Sequence, residues 1–180
     1  NIGFHETQGK YIARMDQDDV SLPLRLEKQV CFMDEHAEVG VCGTYVRFVN
    51  DKDRRISHPY LREPMLSNNE LKAQLLFSPC FQHPTVMIRS KILLNHEIKY
   101  EKEYEPAEDY WMWNQLSAVT EYRNIPEILL KLREHKRQRS RVDMRKQFLG
   151  ADMVRKQVLQ TLFSGKSTKR YELRHMMISR

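Results

Sequence analysis

The stretch Lys10-Tyr11-Ile12-Ala13-Arg14-Met15, followed without a break by Asp16-Gln17-Asp18-Asp19, decides the fold. Its first six residues read as a short buried strand, and three carboxylates within four residues end it. Pro23 then suits the first turn of a helix, where its fixed φ and missing N–H cost nothing. Leu22, Leu26, Val30 and Met33 recur at helical spacing, which predicts an amphipathic helix over 22–36. Strand, acidic turn and helix in that order open an α/β unit.

The alternation continues along the chain. Val39 to Val49 is rich in β-branched and aromatic residues and reads as a strand, with a turn at Asn50-Asp51-Lys52-Asp53. Asn68 is the expected cap of a helix running to Phe77, and Thr85-Val86-Met87-Ile88 is a second buried strand. Residues 107–118 form a helix that opens on Glu108-Asp109, where the macrodipole favours acids. Ile125 to Leu132 is extended. Asp143 to Phe163 is the longest helix, with Met144, Phe148, Met153, Val154, Val158, Leu162 and Phe163 on one broad face. No internal repeat or inter-domain linker interrupts the pattern.

Composition narrows the class. The chain has 180 residues, 41% hydrophobic and 30% charged, which describes one globular domain with a sizeable core and not a disordered tail. No apolar run approaches the length of a membrane-crossing helix. Cys31, Cys42 and Cys80 form no C-x-x-C pair, so they read as small buried hydrophobes in a reducing compartment. The net charge of +6 is unevenly spread. Residues 131–180 carry 15 Lys/Arg against 4 Asp/Glu, whereas residues 1–130 are net acidic. Acidic body and basic tail therefore need separate explanations.

Asp16, Asp18 and Asp19 repel one another unless a cation or hydrogen-bond donors compensate. Oxygen ligands of this kind select hard cations such as Mg²⁺ or Mn²⁺, which complete their shells with substrate phosphates. The competing explanation is an acidic surface turn that caps the next helix.

Further motifs sharpen the choice. Gly9-Lys10-Tyr11-Ile12-Ala13-Arg14-Met15-Asp16-Gln17-Asp18-Asp19, with Pro23, Arg25-Leu26-Glu27 and Gln29, resembles the family 2 glycosyltransferases of the GT-A fold. Val39-Gly40-Val41-Cys42-Gly43-Thr44, His83-Pro84-Thr85-Val86-Met87-Ile88-Arg89, Glu105-Pro106-Ala107-Glu108-Asp109-Tyr110 and Asn124-Ile125-Pro126-Glu127-Ile128-Leu129 resemble later motifs of that family, in order. The fold implied is an α/β GT-A mixed sheet flanked by helices. The resemblance runs from residue 1 to about 140 and lacks the family's N-terminal nucleotide-binding strand. The chain is therefore expected to be part of a longer enzyme, with residues 1–140 its metal-and-acceptor half and 141–180 a basic helical tail.

The resemblance implies an inverting, metal-dependent transfer of a sugar from a nucleotide-sugar donor to a saccharide or lipid-linked acceptor. Arg14, Asp16 and Asp18 would face the donor. Asp18 would ligate Mg²⁺ or Mn²⁺, with Asp16, Asp19 and His135 as further candidate metal contacts. For Asp19 the helix-capping role stays open. Asp109 would be the catalytic base, in a partly apolar wall near Trp111 and Trp113, with Glu108 beside it. Two departures stand out: Asn114-Gln115 replaces an arginine found after the Trp helix in many relatives, and no Q-x-x-R-W element of processive synthases is present. A single-addition enzyme is the expectation, cytoplasmic and possible on the inner membrane face through its basic tail. No nucleic-acid motif accompanies the positive charge. The rival classes are a metal-dependent nucleotidyl or phosphoryl transferase and a non-catalytic basic protein that binds membrane or nucleic acid.

Overall fold

Val39–Val49, the β-branched and aromatic run, forms the eleven-residue strand at the centre of the sheet. The computed structural model describes residues 1–57, 65–135 and 144–163. Along the chain these give α1 (Ile2–His5), β1 (Tyr11–Ala13), β2 (Val20–Ser21), α2 (Arg25–Glu35), β3 (Val39–Val49), α3 (Asn68–Gln74), β4 (Met87–Arg89), α4 (Ser90–Asn95), α5 (Glu108–Ser117), β5 (Glu121–Arg133) and α6 (Met144–Leu162). Short 3-10 turns occupy His83–Thr85 and Lys102–Tyr104. The five strands lie in the order β1-β4-β3-β5-β2. Only β3 and β5 run parallel; the other neighbours are antiparallel.

The sheet separates two apolar layers. Met33 of α2 covers one face with Val39, Cys42, Met87, Ile125 and Leu129. On the other face α3, α4 and α5 bury Leu71, Leu75, Leu93, Trp113 and Leu116 against Val41, Ile88 and Tyr122. The two glycines of β3 permit this closeness. A Cβ at Gly40 would come within 2.2 Å of the Ile92 and Thr120 side chains, and one at Gly43 within 2.2 Å of Asn124 Oδ1.

The long strand β5 contains Pro126, which has no N–H to give a ladder. The register steps from Thr44 opposite Ile125 to Tyr45 opposite Ile128, so Pro126 and Glu127 bulge out of the pairing. Lys28 of α2 forms an ion pair with the displaced Glu127.

Several boundaries differ from the sequence reading. Helix α2 begins at Arg25, after Pro23 and Leu24, and not at residue 22. The cap of α3 is Ser67, not Asn68. Ser67 Oγ accepts from the Glu70 N–H at 3.3 Å, and the Glu70 carboxylate accepts from the Ser67 N–H at 3.0 Å. Asn68 Oδ1 instead accepts from the Tyr122 N–H and ties α3 to β5. The strand expected at 85–88 starts at Met87, because the Pro84 turn precedes it. Cys42 is buried as expected, but Cys31 lies on the exposed side of α2.

Helix α6 packs by a narrower stripe than its composition promises. Val154 is wholly buried, and Arg155 reaches the Phe77 carbonyl at 3.2 Å. Gly150 lets the helix backbone approach the segment before α5, where a Cβ would stand 3.1 Å from Ala107 Cβ. Met144, Phe148, Leu149, Met153 and Leu162 remain exposed, so the expected broad face is divided between packing and solvent. Residues 141–143 and 164–180 of the basic tail lie outside the described residues. Among the described residues no helix is long and apolar enough to cross a membrane.

Two side chains of α2, one turn apart, connect three parts of the sheet. Arg25 Nε donates to Gln29 Oε1 at 3.0 Å, and Arg25 Nη2 donates to the Arg14 carbonyl at 2.7 Å. Gln29 Nε2 donates to the carbonyls of Cys42 (3.0 Å) and Thr85 (2.9 Å). Replacing Gln29 by Leu leaves these groups buried without that partner, which should cost about 2–4 kcal/mol. Urea denaturation reads the loss directly; a change under about 0.5 kcal/mol would show the network to be dispensable.

Candidate active site

The acidic turn hangs between β1 and β2, and the sequence gives each of its carboxylates a different neighbour. Strand β1 ends when the Arg14 N–H donates to the Val86 carbonyl at 2.9 Å. The next three residues leave the ladder, and the turn closes through Asp19 N–H to the Asp16 carbonyl at 3.3 Å. Asp16 pairs with Arg14 at 2.5 Å. Asp18 Oδ2 lies 2.9 Å from His135 Nε2. Asp19 points inward, 8% exposed, and accepts from the Arg133 N–H at 2.8 Å. Burial pushes the Asp19 carboxyl up to about 6, against the stabilising bond from Arg133.

Arg133, at the end of β5, fixes this turn from below. Its Nε donates to the Asp18 carbonyl at 3.0 Å, and its Nη1 donates to the Asn50 carbonyl at 2.8 Å. The turn after β3 and the acidic turn are thereby held to the same guanidinium. Nothing in the sequence singled Arg133 out; the only available signal was its position two residues before His135.

The three carboxylates thus diverge, and among the described residues no group of three or more His, Cys, Asp or Glu side chains forms a ready metal cage. Asp18 with His135 is the pair whose donor atoms fit a hard or borderline cation, since a carboxylate and an imidazole together leave most of the shell to substrate phosphates. Asp19 serves the β5 backbone and caps no helix: α2 starts after Leu24 with no side-chain cap bond, so the helix-capping alternative is not met. Asp16 is held by Arg14.

Asp109 lies in the first turn of α5. Its Oδ1 accepts from the Tyr110 N–H at 2.7 Å. Burial pushes its carboxyl up to about 6; the Tyr110 N–H and the Arg14 charge oppose the rise, and Glu108 adds to it. A carboxyl so placed keeps enough basicity to accept a proton near neutral pH. Beside the preceding residue, Glu108, opens a cavity of about 290 Å³ whose walls include Arg14, His83, Tyr100, Glu101, Glu105 and Glu108. The two tryptophans are placed differently. Trp113 is fully buried, and Trp111 stacks on Tyr104 with its Nε1 donating to Glu101 at 2.9 Å.

Arg14 joins the two halves. It pairs with Asp16 in the acidic turn and also lines the cavity beside Glu108. His83 and Tyr100 meet in the same cavity, with His83 Nε2 2.7 Å from the Tyr100 hydroxyl.

Residues 1–96 match glycosyl transferase family 2, and the chain belongs to that family. Among similar proteins, an uncharacterized glycosyltransferase of Haemophilus influenzae is 32% identical over 148 residues, 79% of this chain and 46% of that protein. The O-antigen biosynthesis glycosyltransferase WbnJ of Escherichia coli is 36% identical over 140 residues, 74% of this chain and 52% of that protein. The chain spans about half the length of the curated relatives it matches. Among solved structures, S. aureus TarS residues 1–349 in complex with UDP superpose with a TM-score of 0.58 at 16% identity, covering 89% of this chain and 44% of that one. That likeness establishes the GT-A-like α/β fold.

Proposed function

We propose that this chain forms the metal- and acceptor-binding part of an inverting glycosyltransferase that moves a sugar from a nucleotide-sugar donor to a saccharide or lipid-linked acceptor. The observation that carries the reading is Arg14, which links the acidic turn to the cavity beside Glu108, the neighbour of Asp109. Similar proteins support the class: WbnJ is named for O-antigen biosynthesis, AmsE of Erwinia amylovora for amylovoran biosynthesis, and TarS has been solved with UDP-GlcNAc.

In this mechanism Asp109 removes the proton from the acceptor hydroxyl as its oxygen attacks the anomeric carbon. The bond to the nucleoside diphosphate breaks on the opposite face, which inverts the centre. Asp18 and His135 would hold Mg²⁺ or Mn²⁺, whose charge neutralises the departing diphosphate. Arg14 and Asp16 orient the donor's phosphate or ribose side. Glu108 keeps the carboxylate character of the wall. Asp19 and Arg133 keep the turn in place.

Exposed Leu149 and Met153 lie among Arg145, Lys146 and Lys156 on α6, which supports peripheral contact with an anionic membrane. On that reading the protein binds vesicles containing anionic lipid and releases them as salt rises; binding to neutral vesicles alone, or none, would remove the membrane role.

Asp18→Asn should raise the concentration of Mn²⁺ needed for half-maximal transfer, because one anionic donor is lost. Assayed in a chain carrying the whole family domain, an unchanged metal dependence would exclude Asp18 as ligand. Release of nucleoside monophosphate in place of diphosphate would move the protein to the nucleotidyl-transferase class.

Asp109 must be deprotonated to act as base, so the transfer rate should climb as pH rises through about 6 and level off above it. Asp109→Asn should slow transfer at least ~10²-fold with donor affinity nearly unchanged. Near-normal turnover in the variant would mean that another group takes the proton.

A further inference from the structure

The turn after β3 is fastened to the acidic turn, although no catalytic step uses it. Asn50 organises this turn. Its Oδ1 accepts from the Lys52 and Arg54 N–H groups, each at 3.0 Å, and its carbonyl accepts from the Asp53 N–H at 2.9 Å. Asp53 stands in the left-handed region at φ 58°, which aspartate and asparagine tolerate better than other side chains. Its carboxylate meets two cations of β5: Oδ2 lies 2.5 Å from Lys131 Nζ, and Oδ1 accepts from Arg133 Nη2 at 3.4 Å.

One guanidinium thereby spans both turns. Arg133 Nε donates to the Asp18 carbonyl at 3.0 Å, Nη1 to the Asn50 carbonyl at 2.8 Å, and Nη2 to Asp53. A planar fork engaged on every edge has a single orientation. Two residues further on, His135 Nε2 lies 2.9 Å from Asp18 Oδ2. The side chain of Arg133 thus sets the backbone at Asp18, while its main chain leads directly to His135.

We propose that Asp53 is a positioning residue for the Asp18–His135 pair, acting through the Arg133 guanidinium, so that the turn after β3 governs how tightly the pair holds a divalent cation. The proposal rests on the cation reading above. Groups that orient the ligands of a metal without touching the ion commonly change its affinity tenfold or more. Without the Asp53 carboxylate the guanidinium loses its outermost anchor, and the two donors are in register for less of the time. Fold stability depends little on the same contact, because Asp53 is exposed and exposed ion pairs add little.

Mn²⁺ titration followed by electron paramagnetic resonance, which counts the free ion, tests this in a chain carrying the whole family domain. Asp53→Asn keeps the left-handed backbone and the size of the side chain and removes the charge. It should weaken Mn²⁺ about threefold, and Arg133→Lys, which loses the fork, about tenfold. The melting temperature of Asp53→Asn should stay within about 2 °C of the wild type. In an Asp18→Asn background Asp53→Asn should have no further effect, because the donor it positions is gone. Unchanged Mn²⁺ affinity in both variants would overturn the proposal. So would a loss of the same size with and without Asp18, which would mark a general effect of charge. A wild-type chain that takes up no Mn²⁺ would overturn the cation reading itself, whereas uptake that ignores Asp53 and Arg133 sinks only the positioning role.

Discussion

A guanidinium buried to 1% exposure has to be surrounded by acceptors, and Arg25 meets that demand with the Arg14 carbonyl and the Gln29 amide. Burial lowers its pKa, opposed by the nearby charge of Asp19, yet a guanidinium remains ionised. The same constraint that keeps Arg25 solvated by the protein fixes where β1 must stop. Because Gln29 in turn binds carbonyls of β3 and of the turn before β4, helix, strand end and sheet centre take one arrangement. The acidic turn inherits its position from this network, and so does Arg14, the side chain that spans the site.

Much of this architecture was legible. The period of Leu26, Val30 and Met33, the β-branched run of Val39–Val49 and the acids opening α5 each mark an element that forms. What local pattern could not supply was direction. Three neighbouring aspartates look like one ligand set, but each has a different partner: Asp16 the nearby Arg14, Asp18 the distant His135 and Asp19 the distant backbone of Arg133. Long-range partners of this kind leave no periodicity. Arg25 and Gln29 were quoted as part of a motif, yet only the fold shows that their i, i+4 spacing places both on the inward side of α2.

The helix α6 shows the opposite error. Its apolar residues form a broad face, but burial is limited to Val154 and the backbone at Gly150, with Ala151 and Val158 half-buried, while Met144, Phe148, Leu149, Met153 and Leu162 stay exposed. Apolar content thus overestimates burial. His83 and Tyr100 were harder still, since a histidine before proline and a tyrosine in a charged loop become a neutral pair only when brought together and desolvated.

The bulge at Pro126 and Glu127 has a consequence for how the site tolerates change. One end of β5 lies under α5, where the Tyr122 hydroxyl donates to the Trp113 carbonyl, and the other end delivers Arg133 to the acidic turn. In a regular strand, inserting one residue would turn every later side chain to the opposite face. Here the pairing is already interrupted between Ile125 and Ile128, so the two ends are registered against β3 independently. Added or lost chain length can be absorbed at this interruption, which a further register shift between Ile128 and Leu130 follows, without reversing either end. A change of length at 126–127 would thus leave both the Tyr122 end and the Arg133 end of β5 in their present alignment.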